Sequence, residues 1–180
     1  DHFSNFDGIF RYQIGSGEKV VICGPKNIHQ QVEARLKSYT WNLIDEKAIA
    51  YEIREIVSKD EINIYALHPP HWNVELINTQ DFLFEDEYVN VDFAILDHKT
   101  DSIAYLFKEK DSVSFNENIS GFRKGKWISE LKTAFENNDG DKEIEIEGTV
   151  YNAADLFHLL TRNTGYKLGV IMDHAAEENN

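Results

Sequence analysis

Val91-Asp92-Phe93-Ala94-Ile95-Leu96-Asp97-His98 is an apolar, strand-like run that stops on a carboxylate and an imidazole. Leu168-Gly169-Val170-Ile171-Met172-Asp173-His174 repeats that arrangement near the other end of the sequence. A strand ending in a metal-capable side chain carries it to the rim of a sheet, where sites are commonly built. A third such pair, Asp1-His2, stands at the head of an amphipathic segment. Carboxylate oxygen and imidazole nitrogen suit zinc and its first-row neighbours. The dipeptide alone is equally what ordinary solvated strand ends carry, so the surrounding sequence must decide.

Working outward, Phe3, Phe6, Ile9 and Phe10 recur at helical spacing and predict a helix to about Gln13, broken by Gly15-Ser16-Gly17. Lys19–Cys23 reads as a short buried strand before Gly24-Pro25, and Asn27 as the N-cap of a helix carrying Ile28, Val32 and Leu36. Strands are expected over Ala50–Val57, Glu61–Leu67, Asn73–Asn78, Tyr88–Leu96 and Ser102–Lys108. Beyond Lys110 the texture changes to polar loops, a helix near Trp127–Phe135, a strand Glu143–Glu147 and a helix from Asn152 through Leu160. Phe115, Phe122, Trp127, Leu131 and Phe135 are enough for a small separate core. Alternating strands and helices point to an α/β or α+β architecture with helix-covered sheets.

At 180 residues and 42% hydrophobic content the chain can bury a real core. The net charge of -14 opposes broad attachment to phosphate backbones or anionic membranes. No run approaches a transmembrane helix and no secretory signal is visible, so no membrane partner is expected. The single cysteine, Cys23, excludes an intrachain disulfide and a thiolate cluster, reads as a buried core thiol, and agrees with a reducing, cytoplasmic setting. The chain opens on Asp1 rather than Met, and the expectation is an internal fragment of a longer protein.

Asp1-His2-Phe3-Ser4-Asn5-Phe6-Asp7-Gly8 resembles the second half of the His-x-His-x-Asp-His motif of metallo-β-lactamase-fold hydrolases. Cys23-Gly24-Pro25, with Val32-Glu33-x-x-Leu36-Lys37-x-Tyr39-Thr40-Trp41-Asn42-Leu43 after it, is similar to the ribonuclease Z-like branch. Asp97-His98 with Ile103-Ala104-Tyr105 resembles that branch's third-motif histidine and its next strand, and Leu168–Asp173 the strand bearing its bridging aspartate. Gly125-Lys126-Trp127-Ile128-x-x-Leu131-Lys132 is similar to a Gly-Pro-containing element between those motifs, with Lys126 where the family has proline.

The resemblance implies an αββα sandwich, incomplete here, with residues 1–109 as part of its core, 110–165 as an inserted arm and 166–180 returning to the core. It implies a two-zinc phosphodiesterase with precursor tRNA as the usual substrate, and a homodimer. Asp1 and His2 would ligate one metal, with Asp1 also taking a proton; His98 would ligate the other, and Asp173 would bridge both. Family members place two further histidines before the Asp1 position and one well after Asp173. The sequence contains none of them, so this chain alone is expected to bind zinc poorly and to hydrolyse little.

Arg123, Lys124 and Lys126 form the one basic cluster of an acidic chain and are expected to contact substrate phosphates. The alternatives are a small-molecule metal-dependent hydrolase of the same fold, which the acidic balance favours, and a degenerate, non-catalytic binding module. Other histidines read as structural. Prolines between His68 and His71 exclude helical ligand spacing; His29 reads as surface and His158 as partly buried among leucines. His174 stands where the family has a small hydroxyl residue, and its role is open. Asp97 could orient a ligating imidazole or simply be a solvated strand end.

Overall fold

The computed structural model describes residues 5–40, 44–172 and 174–175. Asp1, His2 and Asp173 lie outside them. The chain divides into two compact units, Asp1–Phe107 with Leu168–Asn180, and Lys108–Lys167. These limits run two residues outside the expected arm, 110–165.

The first unit begins with α1 (Phe6–Gln13), β1 (Lys19–Pro25) and α2 (Ile28–Lys37). Phe6 and Phe10 of α1 lie one turn apart and are buried, while Ile9 is left exposed. After α1, Gly15 and Gly17 both take positive φ, and both N–H groups donate to the Ala48 carbonyl at 3.0 Å. Side chains strain that backbone region, which explains the glycine pair. β2 (Ala50–Ser58) runs parallel to β1, Cys23 opposite Arg54, and α2 is the crossover between them. β3 (Glu61–Leu67) and β4 (Glu75–Gln80) follow antiparallel, giving the order β1-β2-β3-β4. The chain then forms β5 (Phe84–Glu85), β6 (Val89–Asp97) and β7 (Asp101–Glu109). With β12 (Lys167–Val170) these make a second sheet in the order β12-β7-β6-β5.

Side-chain alternation on β2 and β3 sorts the layers. Tyr51, Ile53 and Leu67 face α1 and α2 and pack with Phe6, Phe10, Val32, Leu36 and Trp72. Phe10 is the hub: Trp72 meets it edge-on at 5.9 Å and Tyr39 stacks at 5.4 Å. Ile56 and Ile62 face the other way and pack with Leu83, Val91 and Ile103. The first unit is therefore helix, sheet, sheet. Burying each of these large aliphatic side chains contributes about 1.5–3 kcal/mol.

The second unit holds β8 (Ser112–Phe115), α3 (Glu117–Ser120), α4 (Trp127–Glu136), β9 (Glu143–Ile146), β10 (Thr149–Asn152), α5 (Ala153–Leu156) and β11 (Leu160–Asn163). Its core joins Trp127, Leu131 and Ala134 to Ile144, Ile146, Ala153, Leu156 and Leu159. Phe115 and Phe122 meet Trp127 edge-on at 5.3 and 5.8 Å, as aromatic quadrupoles favour. The helix expected from Asn152 through Leu160 is shorter than its apolar run suggests. It stops at Leu156, passes through a 3-10 turn over Phe157–Leu159, and becomes β11, because Leu160–Asn163 pairs antiparallel with β8.

Candidate functional site

β6 ends where its sequence predicts, and a tight turn leads to β7. The Asp97 carboxylate accepts the Lys99 N–H at 2.7 Å, and Lys99 takes a φ of 61°. The His98 N–H donates to the Thr100 carbonyl at 3.0 Å, which leaves the imidazole exposed at the tip of the β6–β7 connection. The Asp97 carboxylate thus holds the β6–β7 turn, a role that neither sequence reading named.

The chain beyond β12 comes back to this tip. The Ala175 N–H donates to the Asp97 carbonyl at 2.6 Å. The Asp97–His98 and His174–Ala175 peptide groups thus share a hydrogen bond. β12 ends at Val170, short of the expected Met172, and it is the segment after it that meets the end of β6, more than seventy residues away in sequence. His174 is exposed, and its Nδ1 lies 3.2 Å from the Met172 carbonyl. A carbonyl only accepts, so Nδ1 carries the proton and Nε2 keeps its lone pair in the neutral ring.

Among the described residues no group of three or more His, Cys, Asp or Glu side chains is arranged to hold a metal ion. Three of the four expected ligands, Asp1, His2 and Asp173, lie outside the described residues, and His98 lies within them. His98 and His174 flank the backbone hydrogen bond that joins their segments, and imidazole is a ligand type that suits zinc.

Arg123, Lys124 and Lys126 lie in the second unit. The first two, with Gly125, Trp127, Ile146 and Glu147, line a cavity of about 570 Å³. Lys124 pairs with Glu117 at 2.5 Å, Lys126 occupies the N-cap position of α4, and the Arg123 carbonyl accepts the Trp127 indole N–H at 3.0 Å. All three cationic side chains are exposed.

Two histidines differ from their sequence reading. His29 is not a surface residue. Its Nδ1 donates to the carboxylate of Glu55, its ring stacks on Tyr65 at 4.1 Å, and its side chain is only 14% exposed. Glu55 is buried in the middle of β2 and also accepts the Asn27 N–H at 3.0 Å. Asn27, in the left-handed conformation, makes no side-chain cap to α2. Glu55 therefore serves the helix N-terminus in place of the predicted cap, and a carboxylate there is also favoured by the helix dipole. His158 departs in the other direction: expected to be partly buried, it is exposed, because the 3-10 turn aims Leu159 inward and turns its neighbour out.

A second buried carboxylate escaped sequence reading. Glu52 is held by Lys19 Nζ at 2.6 Å and Arg54 Nε at 2.8 Å. Arg54 also donates to the Leu83 carbonyl at 2.5 Å and lies 4.9 Å from the Phe84 ring centroid. Cys23, expected to be buried, is half-buried against the core of Ile56 and Ile62, and that burial pushes its thiol up to about 11. Glu52 and Glu55 carry no signature in one sequence, since charged positions on a strand ordinarily face water.

No protein-family model matches this chain, and comparison with curated proteins returns no match. Among the described residues no helix is long and apolar enough to cross a membrane.

Proposed function

We propose that the chain is a large part of a metallo-β-lactamase-fold, ribonuclease Z-like phosphodiesterase acting on RNA in the cytoplasm. One observation carries the reading. The hydrogen bond from Ala175 to Asp97 joins the segment that follows β12 to the end of β6 beside His98, and a metal centre shared between these two segments needs such a meeting. The helix–sheet–sheet layering of the first unit supports it as three layers of an αββα sandwich.

In this reading His98 and Asp173, with Asp1 and His2, would hold two zinc ions. Bound zinc supplies a Lewis acid that lowers the pKa of water and polarises a phosphoryl oxygen. The chain's own contribution among the described residues is to hold the His98 backbone in the turn after β6, through its N–H to the Thr100 carbonyl. The second unit supplies the cations. It carries nine of the 18 Lys and Arg residues against eleven Asp and Glu, a net charge of -2, while the rest of the chain carries -12. A phosphate backbone is therefore repelled least by this unit.

Precursor tRNA should bind the chain at low salt and dissociate as salt rises, since phosphate contacts release counterions. Absence of binding at low salt overturns the RNA reading and favours a small phosphodiester. In a polypeptide carrying the complete ligand set, Asp173→Ala should abolish phosphodiester hydrolysis with the fold retained. Unchanged turnover refutes the metal role of Asp173.

A further inference from the structure

We infer that His174 is a metal-binding imidazole, joining His98 on a divalent first-row cation where β6 meets the segment after β12. This rests on the metallohydrolase reading and adds a ligand to the set that reading assigns. The argument begins with the shared hydrogen bond. His98 follows the carbonyl that accepts it, and His174 precedes the N–H that donates it. With standard backbone lengths on either side of a 2.6 Å contact, the two Cα atoms lie within about 8 Å. Each imidazole nitrogen stands well out from its own Cα, so both rings can reach one ion at a Zn–N distance of about 2.0–2.1 Å.

The second part is the state of the ring. Metal-binding histidines ordinarily give their other ring N–H to a carboxylate or backbone carbonyl, which fixes the tautomer and the ring plane. His174 has that partner already, through Nδ1 to the Met172 carbonyl. Its Nε2 is thereby the ligating nitrogen, on an exposed ring open to an incoming ion. His158, exposed and in the other unit, shares neither feature and serves as the control.

The test is a zinc titration of the full chain by calorimetry, with cobalt(II) absorption as an independent readout of ligand number. His174→Ala and His98→Ala should each weaken zinc binding tenfold or more, and His158→Ala should leave it unchanged. His174→Gln, which keeps the ring's bulk without its nitrogen ligand, should behave as His174→Ala does. Long-range nitrogen NMR on the unsubstituted chain should report zinc at Nε2 of His174, independent of any variant's folding. If His98→Ala weakens binding and both His174 variants do not, the inference falls and the metallohydrolase reading stands. Because an incomplete ligand set is expected to bind weakly, the titration runs to saturating zinc. No change at His174 Nε2 there, or equal binding by all variants, overturns the inference, while Asp173→Ala in the polypeptide with the complete ligand set decides the metallohydrolase reading separately.

Discussion

Glu52 and Glu55 sit three positions apart on β2 and so face opposite sides of the sheet, each buried and each held by specific donors. Burial is the largest single influence on the Glu52 carboxyl and raises it. The hydrogen bonds and charges of Lys19 and Arg54 together outweigh burial, and the carboxyl ends below its ordinary value. A carboxyl depressed by folding stabilises the native state above its unfolded pKa of about 4.3 and loses that contribution as pH falls through the folded value. The advantage of the native chain over Glu52→Gln should therefore be constant near neutrality and shrink below about pH 4.3. Urea melts of both proteins across that range check it; an advantage that grows on acidification would contradict the pairing. At this scale sequence reading failed for one reason. His29, Glu52 and Glu55 are polar letters in solvent-like positions, and only a partner from a distant element shows that they are buried.

Elements built on strong periodicity were legible. α2, α4, β2, β3, β6 and β7 lie within two residues of their predicted bounds, and α1 ends at the predicted Gln13 while its predicted start at Phe3 lies outside the described residues; a repeated apolar face reports its own geometry. The short strands β5, β8, β10 and β11 were not, since their two to four residues give little alternation to read, whereas the equally short β9 alternates strictly as Glu143-Ile144-Glu145-Ile146. Their existence depends on a partner strand, as β8 and β11 make clear. The base of the second unit depends on such a contact. Glu109 N–H donates to the Tyr166 carbonyl at 2.9 Å, Tyr166 N–H to Glu109 Oε2 at 3.0 Å, and Gly165 N–H to Asp111 Oδ1 at 3.0 Å. A Cβ on Gly165 would meet the Glu109 carbonyl oxygen at 1.9 Å, a backbone atom that cannot swing aside. Gly165→Ala should cost about 3 kcal/mol or more. Hydrogen exchange of the Glu109 and Tyr166 amides should speed up accordingly; unchanged protection would show that the backbone accommodates the methyl group.

At the scale of the whole chain, the two units have separate cores, and the second is spliced between neighbouring strands of the first. β7 and β12 are neighbours in one sheet, and the Glu109 N–H donates to the Tyr166 carbonyl just before β12, so residues 109 and 166 lie close together. Replacing residues 110–165 with Asn-Gly should therefore leave the first unit folded, with cooperative melting by circular dichroism. Loss of cooperative folding would show that the first unit needs the second. The candidate site divides along the same lines. The Asp-His pairs and the strands beneath two of them could be read directly, because alternation and a polar stop are local properties. That Asp97-His98 and His174-Ala175 share one hydrogen bond is not local. It follows from how β12 pairs with β7 and β7 with β6, and pairing energies are decided by the competing partners of the whole sheet. The sequence by itself determined the periodic elements, the apolar faces and the residue types able to hold a metal. Tertiary structure alone decided which of those residues meet, and which charged groups are buried, because both depend on contacts between segments far apart in the chain.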